Sequence, residues 1–289
     1  VHVFLTGGTG LIGSAVLTAL LADGATVSAL ARSDASAATL TAAGAAVVRG
    51  DLTDGRLLAT AARGADAVVH TASPGDGTSA AVDAALLDAV LPALAGTGRP
   101  YVHTSGAWAL GSGDLDETTP PDPAELVAWR VPLDARVQAA AADGVRSVVL
   151  APGIVHRAGA GIPATVVGGG PRTPDGALVL PGSGAQHWTT VHADDLGRLY
   201  ALALRHAAPG SRYLAVSGHN PTVTEIGAAF APRVVGSSDE ETAGRLGLFG
   251  AALLLDQRAT GALARSELGW APAGPTLLDE LTRAAAPAA

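Results

Sequence analysis

The chain has 289 residues, 48% of them hydrophobic and 15% charged, with a net charge of -8. That is enough apolar content for a large core, and the acidic surplus disfavours nucleic acid and anionic lipid as partners. Cysteine and lysine are both absent, which removes thiol nucleophiles, disulfides, Cys-ligated metals and Schiff-base chemistry and leaves a small molecule as the expected partner.

Short β-branched runs alternate with alanine-rich stretches of helical character. Strands are predicted at Val1–Thr6, Thr26–Ala31, Ala46–Arg49, Ala67–Thr71, Tyr101–Thr104 and Ser147–Ala151. Helices are predicted at Leu11–Ala22, Ala35–Ala43, Gly55–Arg63, Thr78–Ala95 and Pro123–Ala142. Strict alternation implies right-handed crossovers and a parallel sheet covered on both faces. The predicted class is α/β, with a doubly wound Rossmann domain over residues 1–155.

After Pro152 the composition turns Gly/Pro-rich around one strong helix, Ala193–His206, with further helices toward Leu281. Residues 156–289 are expected to form mainly a smaller cap over the substrate crevice, with some segments returning to the Rossmann core. The apolar run Leu11–Leu21 ends at Asp23 and Gly24, short of the roughly 20 residues that span a bilayer. With no basic leader before the first strand, a cytoplasmic protein without membrane contact is expected.

The first strand runs into Thr6-Gly7-Gly8-Thr9-Gly10-Leu11-Ile12-Gly13, and an apolar helix follows at once. A tight glycine turn between strand and helix lets backbone approach a pyrophosphate, while the helix N-terminus supplies amide donors and a favourable dipole. The second strand ends in Arg32-Ser33, at the place where an NAD site sets an acid on the ribose hydroxyl. Arg32 can instead fork onto a 2'-phosphate and Ser33 can add a hydroxyl, so NADP(H) is favoured over NAD(H).

These segments resemble the short-chain dehydrogenase/reductase superfamily, in its extended or atypical branch, the NAD-dependent epimerase/dehydratase family. The resemblance also rests on Gly50-Asp51-Leu52, Val69-His70-Thr71-Ala72, Val102-His103-Thr104-Ser105-Gly106, Ala151-Pro152-Gly153-Ile154-Val155 and Val191-His192-Ala193-Asp194-Asp195-Leu196. It implies adenine contacts from Asp51 and Leu52, and further cofactor contacts from Thr71, Ala72, Thr104 and Pro152. Asp51 can equally be a turn residue, and Asp194 with Asp195 can serve simply to cap the helix that follows.

The family also implies a Tyr four residues before a Lys as acid/base pair. The corresponding stretch here reads Val127-Ala128-Trp129-Arg130-Val131-Pro132-Leu133-Asp134 and contains neither. Gly106 stands where the family's catalytic Ser usually does, with Thr104 and Ser105 just upstream. The remaining candidates for chemistry are Ser105, Arg130 and His156, with Trp108, Trp129, His187 and Trp188 as substrate contacts. Histidine titrates near neutrality and can replace a tyrosine acid, which puts His156 at the crevice mouth first. Arg130 can polarise a carbonyl, or it can pair with Asp134 one helical turn on. His187, His192 and Asp194 match no ligand spacing, so no metal is expected.

The leading expectation is an NADP(H)-dependent oxidoreductase of a small carbonyl or alcohol, with a degenerate Tyr-x-x-x-Lys site. The alternatives are a non-redox lyase, isomerase or cyclase on the same fold, and a non-catalytic NADP-sensing protein. A homodimer is expected from the alanine/leucine-rich helices Thr78–Ala95 and Pro123–Ala142, whose apolar surface would otherwise face water.

Overall fold

The computed structural model describes residues 1–157 and 159–285. The alternating pattern folds as predicted. Strands β1 (His2–Thr6), β2 (Thr26–Ala31), β3 (Ala46–Arg49), β4 (Ala67–His70), β5 (Pro100–Thr104), β6 (Arg146–Pro152) and β7 (Ser211–Ala215) form one parallel sheet in the order β7-β6-β5-β4-β1-β2-β3. β5 opens on Pro100, a position where proline's missing N–H costs no ladder bond.

Successive β1 residues serve opposite faces, as a period of two requires. Val3 and Leu5 join Val16 and Leu20 of α1 (Leu11–Ala22) and Leu196, Leu199 and Tyr200 of a helix at Ala193–His206. Phe4 joins the opposite cluster, built from Leu58 of α3 (Gly55–Arg63), Leu86, Leu87 and Val90 of α4 (Ser79–Leu94) and Val137 of α5 (Arg130–Ala139). Between β2 and β3, α2 (Asp34–Ala42) is started by a reciprocal capping box between Ser33 and Ser36.

Two elements differ from the prediction. α5 begins at Arg130, not Pro123, because the preceding stretch is loop with one short 3-10 turn. Pro132 then lies in the first turn, where its missing N–H has no helical partner to lose. β7 was not foreseen, since Ser-Arg-Tyr-Leu-Ala is short and lies beyond the Gly/Pro-rich region. It extends the sheet past β6, and α6 (Ala193–His206) covers the face beneath β1.

The other segments beyond residue 155 include α7 (Val223–Ala228), α8 (Asp239–Leu253), α9 (Ala262–Leu268) and α10 (Leu277–Ala285). A third cluster gathers Ile154, Val167, Leu178, Trp188, Ile226, Leu253 and Leu277. Asp195, in the first turn of α6, is buried and accepts the backbone N–H groups of Ala273 and Gly274. No described helix is long and apolar enough to cross a membrane.

Candidate functional site

The strand order reverses between β1 and β4, and ligands of open α/β sheets bind at such a point, beyond the carboxyl ends of the strands. The glycine loop sits there. Gly7 has φ +78°, and a Cβ on Gly13 would stand 2.0 Å from the Gly7 carbonyl oxygen, so neither position accepts a side chain. Gly10 differs: the nearest atom to an added Cβ is the Gly7 oxygen at 3.4 Å, and nothing else lies within 4 Å. Gly10 is the N-cap of α1, with no side-chain cap and no acid in the first turn. The first amides of α1 are therefore left for an external anion, and a dinucleotide pyrophosphate fits this cradle.

Two adjoining cavities extend from the loop. One of about 630 Å³ is lined by Gly7, Thr9, Gly10, Leu30, Arg32, Ser33, Ser36, Leu52, Thr71 and Ala72. The other, about 470 Å³, shares Gly10, Thr71 and Ser73 with it and runs on past Leu11, Ile12, Gly13, Ser105, Trp108, Arg130 and Pro152. The loop, the end of β2 and the ends of β5 and β6 thus face one long cleft.

At the far end the polar groups are few. The Ser105 hydroxyl, 6% exposed with its residue, donates to Asp134 Oδ2 at 2.5 Å. Burial raises the Asp134 carboxyl to about 6, against the lowering effects of the Ser105 hydrogen bond and of Arg130 and Arg212. Arg130 donates to the Thr104 carbonyl at 3.0 Å and lies 4.3 Å over the Trp129 ring. Burial lowers its pKa from the ordinary value. Among the described residues no carboxylate comes within ion-pair distance of Arg130; Asp134, one turn along, bonds Ser105 instead.

The floor beneath is a buried polar network. Thr6 Oγ1 and His70 Nδ1 are 2.7 Å apart, and His70 Nε2 is 3.3 Å from Asp83 Oδ1 on α4. His103 stacks on His70 with ring centroids 5.5 Å apart, and its Nδ1 is 3.0 Å from the Tyr101 hydroxyl. Its Nε2 faces Asp134 Oδ1 at 3.9 Å, and neither atom has a hydrogen-bond partner. Burial holds His103 well below the usual imidazole range, so its ring is neutral.

Residues 3–92 match the profile of the NAD dependent epimerase/dehydratase family. An uncharacterized protein of Schizosaccharomyces pombe is 31% identical over 97% of this chain and 98% of its own length. The chain belongs to the NAD-dependent epimerase/dehydratase family. Among solved structures, a nucleoside-diphosphate-sugar epimerase from Pseudomonas aeruginosa superimposes with a TM-score of 0.75 at 20% identity, covering 98% of this chain and 95% of that one. The dTDP-glucose 4,6-dehydratase DesIV of Streptomyces venezuelae, solved with NAD, gives 0.76 at 24% identity, covering 97% and 94%. These likenesses carry the fold.

Against this epimerase/dehydratase framework, several site residues lie elsewhere than the sequence suggested. His156 is 2% exposed, and its Nδ1 is 2.7 Å from Glu280 Oε2 on α10. Ile154 and Val155 line the cleft, but the short strand Ile154–His156 then pairs with Thr190–His192 and carries the imidazole into the packing with α10. Trp188 is 2% exposed and donates its indole N–H to the Leu253 carbonyl, so it packs in the third cluster and does not line the cleft. His187 Nδ1 lies 2.9 Å from Asp256, away from the cleft-lining residues. Trp129 underlies Arg130 without lining the cavity.

Two cofactor positions also change character. Thr104 Oγ1 donates to the His70 carbonyl and meets the Tyr200 hydroxyl at 2.5 Å, so its hydroxyl ties β5 to β4 and α6. Asp51 Oδ1 accepts from the backbone and hydroxyl of Thr53, a turn that leaves Leu52 as the cavity residue. Asp134 is the group whose importance the sequence reading missed. Its signal is the spacing Arg130-x-x-x-Asp134, which repeats the Tyr-x-x-x-Lys interval and in sequence allows either an ion pair or a functional arginine.

Proposed function

We propose that this protein is an NADP(H)-dependent oxidoreductase of a small, largely apolar carbonyl or alcohol, in which Ser105 and Arg130 do the work the family gives to its Tyr and Lys. The observation that carries the reading is the make-up of the far cavity. Ala107, Trp108, Val127, Ile154, Val155 and Ile162 supply apolar walls, while Ser105, just after β5, and Arg130 of α5, which reaches the Thr104 carbonyl, bring polar groups to the same cavity. Apolar walls with two converging polar groups suit a compact carbonyl compound.

The cofactor supplies hydride. The uncapped start of α1 would hold its pyrophosphate, and Arg32 with Ser33 and Ser36 would meet the 2'-phosphate. Arg32 supports the NADP preference because, among the described residues, its guanidinium has no hydrogen bond or ion pair; its charge is felt by Asp51, whose carboxyl it helps to lower. Ser105 would donate to the substrate oxygen, and Arg130 would stabilise negative charge developing there.

Steady NADPH oxidation with a panel of small aldehydes and ketones, faster than with NADH, is the expected result. Product formation with no net change in cofactor would replace this reading by a lyase, isomerase or cyclase, which the absence of Tyr and Lys from α5 favours as the second reading. Tight NADPH binding without any turnover would leave a sensing protein. The proposal includes a homodimer through α4 and α5, at the groove lined by Leu91, Pro92, Ala95 and Arg136. Light scattering that returns the mass of one chain overturns that part.

A further inference from the structure

Among the described residues lining the far end of the cleft there is one positive group, Arg130, and no histidine, so the source of protons there is a question the fold has to answer. Arginine is a poor donor because it keeps its proton at any physiological pH. A serine hydroxyl is too weak an acid to give one up unaided. The group behind Ser105 is different. Asp134 sits on α5 with its side chain almost wholly covered. Its Oδ2 lies 2.5 Å from the Oγ of Ser105, a residue that lines the cavity.

We propose that Asp134 is the proton reservoir of the cleft, reaching a substrate oxygen only through the Ser105 hydroxyl. The proposal rests on the oxidoreductase reading and deepens it. In its acid form Asp134 donates from Oδ2 to Ser105 Oγ, and in its ionised form Ser105 donates to Oδ2; the distance suits both. When a carbonyl is reduced, its carbon takes the hydride and its oxygen needs one proton. The Ser105 O–H bond breaks toward that oxygen as the Asp134 O–H bond breaks toward Ser105 Oγ. Solvent returns the proton to Asp134 before the next turnover, so each reduction adds one hydride and one proton.

The surroundings favour a carboxyl that holds its proton more tightly than an ordinary aspartate does. His103 of β5 faces the outer oxygen at 3.9 Å without bonding it, and both atoms lack partners. Asp83 of α4 opposes ionisation from one side, while Arg130 on α5 and Arg212 on β7 favour it from the others. Tyr101 occupies the far nitrogen of His103. Burial outweighs the two arginines, and the carboxyl is raised to about 6. A group titrating there is half-charged at about pH 6 and still roughly one-tenth protonated a unit higher, so it can both give and regain a proton within a cycle.

The test combines a titration of the cofactor-free protein with kinetics. In protein labelled with 13C at aspartate carboxyls, one resonance should titrate near 6, vanish in Asp134→Asn and move upward in Ser105→Ala, which loses the bond that stabilises the ionised form. With NADPH and a small ketone, kcat/KM should fall as pH rises through that value. Asp134→Asn should lose this limb and about 100-fold in kcat, with KM little changed. An Asp134 resonance in the ordinary carboxylate range, or an Asn variant that keeps the limb, overturns the reservoir. A protein that reduces no ketone while Asp134 still titrates near 6 overturns the oxidoreductase reading and with it the relay to a substrate oxygen, leaving only the raised carboxyl; a ketone reductase whose Asp134 titrates in the ordinary range overturns the reservoir alone.

Discussion

His156 Nδ1 and Glu280 Oε2 lie 2.7 Å apart across 124 residues of chain, fastening α10 to the short strand that follows β6. His192 also reaches Glu280, at 3.5 Å, and its ring meets that of His156 edge-on at 5.4 Å. His156→Phe is therefore expected to weaken the docking of α10. A charge-assisted bond of this kind contributes about 1.5 to 3 kcal/mol, read as a lower melting temperature. Turnover should not show the roughly 100-fold loss that removing a general acid brings. Burial lowers the His156 pKa below 6.5, so the unfolded chain binds this proton more readily and stability should decline as pH falls below that value.

Asp134→Asn is expected to stabilise the protein near neutral pH. The folded state holds this proton more tightly than the unfolded chain, so stability falls as pH rises from 3.8 to about 6 and stays lowered above. The displacement corresponds to on the order of 2 to 3 kcal/mol. Thermal melts of the two proteins should separate above pH 6 and converge below 3.8, the limits set by this carboxyl. Curves that keep one spacing throughout would contradict it.

Arg32→Ala should lower NADPH affinity by roughly 10- to 100-fold, the size of a charge-assisted contact, and leave NADH affinity almost unchanged. Fluorescence titration of both cofactors checks this. Equal affinities in the unmodified protein would remove the basis for the NADP preference.

Gly10→Val and Gly13→Ala should fail in different ways. The first places a side chain where only the Gly7 oxygen is near, so the fold should survive while dinucleotide binding is lost. The second sets a methyl group 2.0 Å from that oxygen, a contact that forces the turn apart. A folded Gly10→Val protein with unchanged cofactor affinity would show that the pyrophosphate lies elsewhere.

The fold was legible because each strand from β1 to β6 is a compact β-branched run bounded by glycine or polar turns, and that signal is local. The glycine loop was legible for the same reason. The site beyond it depends on where chain segments distant in sequence meet. His156 follows β6 directly, yet its surroundings are set by α10. Arg130 and Asp134 have the spacing of a surface ion pair, and only the end of β5 turns them apart, one to the Thr104 carbonyl and one to Ser105. Most of the apolar side chains of α4, Leu86, Leu87, Val90 and Leu94, are buried within the single chain, so the apolar content of that helix by itself does not mark an interface, and the proposed dimer rests on the groove beside it.

The return of α6 and β7 to the sheet has a consequence for how the protein is made. During synthesis the six strands up to Pro152 appear first, with the outer edge of β6 unpaired and the face of β1 uncovered until Ala193–His206 and Ser211–Ala215 follow. Trp270, which packs with Leu199 and Tyr213 and donates its indole N–H to the Asp195 carbonyl, arrives later still. A nascent chain halted near residue 155 would hold the whole glycine loop and yet expose an open strand edge, the surface on which aggregation starts. The nucleotide-binding half cannot be produced alone by cutting at that point, and shortening the C-terminal region should cost soluble yield before it costs any contact in the cleft.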